Sequence, residues 1–184
     1  SVQLVQEMGL GWNLGDTLDV CVADRDGDGE VNEEPVNGVV DETLWGNIRA
    51  TKELFQTLKS QGINSVRIPV TWRDHMGEAP DYTIDKAWMD RVQEVVDYAY
   101  GLGMYVIINV HHDGGGDPDF GAWIRNASYD KENVLKRYQA VWKQIATRFQ
   151  NYSDHLIFES MNEVGFDDLE KEDAFSLLNE INQT

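Results

Sequence analysis

The sequence predicts an α/β fold of repeated strand–helix units around a parallel sheet, and three observations lead there. Short apolar runs alternate with stretches whose apolar residues recur at helical spacing. The run from Tyr105 to Val110 is apolar almost throughout, as a central strand covered on both faces must be. Polar residues gather just after the strand-like runs, at the end where parallel strand–helix folds assemble their chemistry.

Four units can be read in order. After a short helical start at Val2 to Met8, Gly9 to Leu14 reads as the first strand, and Leu54, Phe55 and Leu58 mark a helix ended by Gly62. Ser65 to Val70 is the second strand, with Pro69 tolerable only near its end, where the hydrogen-bond ladder breaks up. Asp85 has the chemistry of an N-cap, and Trp88, Met89, Val92, Val95, Val96 and Ala99 follow at helical spacing until Gly101 and Gly103. The third strand, Tyr105 to Val110, precedes a helix capped by Asp130 whose apolar stripe is Val134, Tyr138, Val141, Trp142, Ile145 and Phe149. Leu156 to Met161 is the fourth strand, and Phe175, Leu178 and Ile181 predict a last helix. There is no interdomain linker or short repeat, so residues 1–184 read as one domain or part of one.

Composition narrows the function. The 184 residues carry 15 Lys and Arg against 33 Asp and Glu, a net charge of -18, which argues against nucleic-acid or anionic-membrane partners. Six Trp and seven Tyr in so acidic a chain suit carbohydrate better than phosphate. Cys21 is the single cysteine, so stability must come from packing, with or without a bound ion, and not from an internal disulfide. No apolar run approaches about 18 residues, and the chain reads as soluble.

Asn13, Arg67, His111, His112, Asn162 and Glu163 fall at strand ends, where neighbouring tips about 4.8 Å apart can join them in one cluster. A carboxylic acid at the tip of a buried strand, beside an amide, suits general acid catalysis. His111, His112 and Asp113 also have the residue types of a zinc or iron site, but adjacent strand residues point to opposite faces, so they could chelate one ion only beyond the strand's end. No nucleophile elbow or dinucleotide fingerprint is present, and Gly114-Gly115-Gly116 reads as a flexible loop without the helix that a phosphate cradle requires.

Gly11-Trp12-Asn13-Leu14-Gly15-Asp16-Thr17-Leu18-Asp19, Val66-Arg67-Ile68-Pro69-Val70-Thr71-Trp72, Val106-Ile107-Ile108-Asn109-Val110-His111-His112-Asp113 and Phe158-Glu159-Ser160-Met161-Asn162-Glu163 resemble the signature blocks of glycoside hydrolase family 5, especially its bacterial endoglucanases and xyloglucanases. The resemblance implies a (β/α)8 TIM barrel of which this chain covers about the first four units, a half barrel. It implies retaining cleavage of β-glucan by two glutamates, with no cofactor for catalysis, and a secreted, extracellular enzyme. Glu163 would then be the acid/base and Asn162 the contact to the sugar 2-hydroxyl, while Arg67, His111 and His112 set the charge and hydrogen bonding around them. Asp16 stands where the family usually has Asn, and Val164 where Pro commonly follows the acid/base.

The family's nucleophile glutamate belongs to the seventh strand and has no counterpart here. Glu159 cannot replace it, because four residues of strand separate it from Glu163 by ~13 Å, against about 5–5.5 Å for a retaining pair and about 6.5–9.5 Å for an inverting one. Glu159 is instead expected to pair with a cation such as Arg67, and Asp113 stays open as a second carboxylate. An open half barrel exposes two strand edges, to be completed by a complementary C-terminal half barrel or a second copy, unless the chain is a truncated product. The competing reading is a catalytically silent glycan-binding or self-associating module.

Asn13, Trp45, Trp72 and Trp123 are candidate sugar contacts, the tryptophans equally open to a packing role. Asp24, Asp26, Asp28, Glu30 and Asn32 follow the spacing of a calcium loop with Gly29 at its sixth position; the twelfth is Pro35, not Glu, with Glu34 one residue earlier as the candidate substitute, and the pattern predicts a structural Ca2+.

Overall fold

The computed structural model describes residues 2–24, 28–31, 35, 38–115 and 121–184. Helix α1 (Val2–Met8) leads into β1 (Leu10–Asn13), followed by α2 (Lys52–Ser60), β2 (Ile63–Ile68), α3 (Lys86–Tyr100), β3 (Tyr105–Asn109), α4 (Ala127–Arg148), β4 (Leu156–Glu159) and α5 (Lys171–Asn182). All four strands lie parallel in one sheet in the order β1-β2-β3-β4. Among the described residues β1 and β4 each have a single neighbour, so the sheet is open at both edges.

The local chemistry explains the element ends. Thr51 enters α2 in extended geometry, and the turn out of that helix passes through Gly62 at φ 88°, a left-handed conformation that glycine adopts without a Cβ penalty. Asp85 caps α3 as expected, its side chain accepting the Ala87 N–H at 2.8 Å. Strand β2 stops at Ile68 and not at Val70, because Pro69 has no N–H for the ladder.

Two expectations are corrected. Helix α4 starts at Ala127, continuing a short 3-10 turn over Ile124–Asn126, and Asp130 forms a kink inside it at φ -134°, ψ 48°, instead of capping its start. The Asp130 carboxylate accepts from the Asn133 amide at 2.9 and 3.2 Å. Helix α5 buries Leu177 and Ile181, while Phe175 is 55% exposed with the Lys171 ammonium over its ring. The helical period places Leu177 and Ile181 on one face and turns Phe175 away from it.

Outward-pointing Val66, Ile68, Val106 and Ile108 are fully buried against the helices, in a core shared with Phe55, Val92, Val96, Val141 and Ile145. The opposite face of the sheet carries Arg67, Ile107, Ile157 and Glu159, all only partly covered. Leu10, Trp12 and Phe158 on the two edge strands are exposed. A parallel sheet covered by helices on one side and open on the other is the geometry of a partial (β/α)8 barrel seen before closure.

Candidate active site

Arg67 organises the strand tips. Its Nε and Nη2 donate to the two oxygens of Glu159 at 2.7 and 2.5 Å, a forked pair that rigid planar groups make well. Nη2 also donates to Asn162 Oδ1 at 2.9 Å, and Nη1 to Asn13 Oδ1 at 3.2 Å. One guanidinium thus joins β1, β4 and the segment after β4. Glu159 is the cation partner that the spacing argument required, and it is not available as a second catalytic carboxylate. Burial alone would raise its pKa, but the hydrogen bonds from Arg67 and Asn109 together hold it below the ordinary value. The Arg67 pKa moves up in step.

Strand β3 ends at Asn109, so His111 and His112 lie beyond it and alternation no longer separates them. Their rings stand 4.6 Å apart at 79°. His111 Nδ1 lies 3.0 Å from Asn109 Nδ2, and His111 Nε2 faces Asp19 Oδ2 at 3.9 Å. Burial, reinforced by the nearby His112 and Arg67, pushes the His111 pKa down to about 3, and burial lowers His112 as well. Both imidazoles are therefore neutral near pH 7. Asp19, His111 and His112 bring ligand atoms within 4.8 Å of one another, so on spacing alone the cluster admits a metal, with Asp19 in the place expected of Asp113.

Glu163 follows Asn162 on an exposed turn at φ 47°, a left-handed conformation that costs a non-glycine residue energy and recurs where a side chain must be aimed. Its charge is felt at both Arg67 and His112. Beneath it lie Gly114 and Gly115, both buried. A Cβ on Gly114 would come within 2.3 Å of Val164 Cγ2, and one on Gly115 within 3.3 Å of both Asn162 O and Glu163 Cβ. The described part of the triglycine is therefore a close-packed floor, not a flexible loop. Asp16, at φ 53°, occupies a left-handed position that Asn and Asp both tolerate, which accounts for the interchange there.

Two of the candidate sugar platforms are core residues. Trp72 is fully buried, with its indole N–H donated to Asn109 O at 3.0 Å, and Trp123 is 4% exposed, with its indole N–H on Asp113 Oδ1 at 2.7 Å. Trp72 and Trp123 cannot stack on a ligand from these positions. Asp113 itself is completely buried and accepts the Trp72 backbone N–H on its other oxygen at 2.8 Å, which removes it as a second carboxylate. Trp45 is half-buried, donates to Cys21 O at 3.1 Å and sets its ring 5.6 Å from His112, forming one wall beside the histidines. Burial raises the Cys21 thiol to about 12, so it stays protonated and inert.

The sequence reading missed two residues. Asn109 is fully buried and bonds to three groups at the site. Arg73, on a 3-10 turn after β2, is almost fully buried and donates to His112 O at 2.9 Å and Val22 O at 2.6 Å. A polar residue inside an apolar strand was the available signal for Asn109. In the acidic loop Gly29 takes φ 89° and its N–H donates to Asp24 Oδ2 at 2.8 Å, while the Glu30 N–H donates to Asp28 Oδ1 at 2.8 Å. Asp26, Asn32 and Glu34 lie outside the described residues.

The comparisons with known proteins agree with one another. The model of the family described as cellulase, glycosyl hydrolase family 5, matches residues 28–184. Endoglucanase A of Paenibacillus barcinonensis is 44% identical over 164 residues, which cover 89% of this chain and 37% of that protein. A xyloglucan-specific endo-beta-1,4-glucanase of Bacteroides ovatus is 40% identical over 169 residues, covering 91% of this chain and 30% of that protein. Among solved structures, a family 5 xyloglucanase from Paenibacillus pabuli in complex with ligand superposes with a TM-score of 0.84 at 44% identity, covering 98% of this chain and 47% of that one. A broad-specificity endoglucanase from Ruminococcus champanellensis with bound cellotriose gives a TM-score of 0.82 at 40% identity, covering all of this chain and 51% of the other. The chain thus spans about half or less of the relatives it matches.

Proposed function

This chain belongs to glycosyl hydrolase family 5, the cellulase family, and on that premise we propose that it supplies the acid/base part of an endo-acting, retaining β-glucan hydrolase. The Arg67 fork is the observation that carries the reading. By donating to Asn162 Oδ1 it fixes the amide orientation, which leaves Asn162 Nδ2 as a donor for the sugar 2-hydroxyl. Glu163, next in sequence and aimed by its left-handed turn, protonates the departing glycosidic oxygen and afterwards takes a proton from the attacking water. Neutral His111 and His112, with Asn13, line the same cluster. Trp45 is the remaining candidate for stacking on sugar, since Trp72 and Trp123 are committed to the core.

Glu159 is bound to Arg67 and Asp113 is enclosed. The nucleophile in this proposal comes from a complementary C-terminal half barrel that closes the barrel between β4 and β1; a second copy would cover the open edges but bring no seventh-strand glutamate. A β-glucan polymer is too large to enter a cell intact, so the proposed place of action is extracellular. The loop from Asp24 to Glu34 is proposed as a structural Ca2+ site, tested by whether calcium raises the melting temperature and Asp24→Asn abolishes the rise.

The same engagement of Glu159 and Asp113 favours a second reading, a silent glycan-binding module. Hydrolysis of a soluble β-glucan, by the chain alone and by the chain with a complementary half barrel, separates the two. Turnover that appears on completion and disappears with Glu163→Gln supports the hydrolase. Cello-oligosaccharide binding without turnover in the completed barrel supports the silent module.

A further inference from the structure

Asn109 sits at the end of β3 with no exposed surface, and each polar atom of its amide has a defined partner. Its Oδ1 accepts the Val70 backbone N–H at 3.1 Å, a group that can only donate. Its Nδ2 donates to Glu159 Oε1 at 2.8 Å, and that carboxylate, already paired with Arg67, can only accept. The two contacts agree on one orientation of the amide, so the remaining Nδ2 hydrogen points at His111 Nδ1, 3.0 Å away. That nitrogen must then carry a lone pair, and the single proton of a neutral imidazole must sit on Nε2.

We propose that Asn109 is a positioning residue that locks His111 as its Nε2–H tautomer, so that this histidine offers the cleft a hydrogen-bond donor and never a lone pair. Two consequences follow. His111 can donate to an acceptor oxygen at the site, and among the described residues the nearest carboxylate, Asp19 Oδ2 at 3.9 Å, is too far to take that bond permanently. It cannot serve as a metal ligand through Nε2 while Asn109 keeps its place, since a ligating nitrogen must be unprotonated and its ring partner must donate outward. The lock therefore turns the Asp19, His111 and His112 cluster from a metal-like set into a recognition surface. The donor's target, a sugar hydroxyl, rests on the proposed glucan reading; the tautomer does not.

Nitrogen NMR of the folded chain tests the lock without substrate. Long-range proton–nitrogen correlations should show His111 Nε2 protonated and Nδ1 bare from about pH 5 to pH 8, and a through-hydrogen-bond coupling should link Asn109 Nδ2 to His111 Nδ1. Asn109→Ala should release a mixture of both tautomers. A wild-type His111 protonated on Nδ1, or missing nitrogen–nitrogen coupling, would overturn the lock even if the variant fails to fold. So would a folded Asn109→Ala chain with an unchanged tautomer. Cello-oligosaccharide affinity of the barrel-completed protein is a separate readout: with the donor tautomer cut to a fraction of the population, affinity should fall by that fraction, about 2-fold for an equal mixture, in Asn109→Ala. An unchanged affinity beside a shifted tautomer would count against the glucan reading and leave the lock standing.

Discussion

Replacing Arg67 with Lys keeps the charge and removes the fork. The guanidinium reaches both Glu159 oxygens, Asn162 and Asn13 with four hydrogen bonds of 2.5 to 3.2 Å. A lysine ammonium is a single point with three donors and cannot serve a flat carboxylate and two amides on different segments together. It keeps one contact to Glu159. One charge-assisted bond is lost, worth about 1.5 kcal/mol at a site whose two partners are under one-third exposed, along with two bonds to neutral amides at roughly 0.5–1.5 kcal/mol each. The expected destabilisation is about 2.5–4.5 kcal/mol. Urea denaturation reads this as a lower midpoint at unchanged slope. In the barrel-completed enzyme the untethered Asn162–Glu163 pair should lower kcat/KM by about 10²-fold. A stability change below about 0.5 kcal/mol, the level of a surface pair, would refute the view that Arg67 holds the site together.

Gly114→Ala should cost about 1–3 kcal/mol by chemical denaturation, because its Cβ would meet the stiff Val164 side chain at 2.3 Å, and it should depress turnover by shifting the segment that carries Glu163. Glu42 is 1% exposed and accepts from Arg91 at 2.6 and 2.7 Å and from the Ala50 N–H at 2.7 Å, so Glu42→Gln should destabilise the chain by about 1.5–3 kcal/mol through the lost charge-assisted bonds, Arg91 keeping Glu94 and the Ala50 carbonyl. Burial, opposed by Asp85, holds His75 to about 4, with its ring stacked on Trp88 and its buried Nε2 without a hydrogen bond among the described residues. A folded pKa below the unfolded one means that the unfolded chain binds more protons between them. The His75 contribution is thus complete above about pH 6.5 and lost towards pH 4, at about 1.4 kcal/mol per pH unit. His75→Phe should flatten that part of the stability profile, measured by denaturation across this range.

The strand and helix order was legible because each apolar period is local: the α3 stripe from Trp88 to Ala99 is buried residue for residue. The strand-tip cluster was legible too, since alternation along a strand and the 4.8 Å spacing between strands are fixed by the backbone. What could not be read depended on contacts distant in sequence. Trp72 and Trp123 look like sugar platforms until Asp113 is seen to draw their neighbourhood inward. Gly114 and Gly115 look flexible until the segment after β4 closes over them. Asn109 stands out as a polar residue in an apolar strand, but its role stays hidden because its three partners, Val70, His111 and Glu159, lie on three different segments. Phe175 misled for a different reason: two apolar faces compete on α5, and packing against α4 chose the one with Leu177 and Ile181.

The most direct measurement on Glu163 is the leaving-group dependence of Glu163→Ala in the barrel-completed enzyme. A proton donor matters for a sugar leaving group and little for a phenol that departs as its anion, so loss of about 10²–10⁴-fold is expected on cello-oligosaccharides, with the first step on an aryl cellobioside nearly intact. Added azide should then restore turnover of the aryl substrate and yield the β-glycosyl azide. Equal losses on both substrates, with no azide product, would contradict the role given to Glu163.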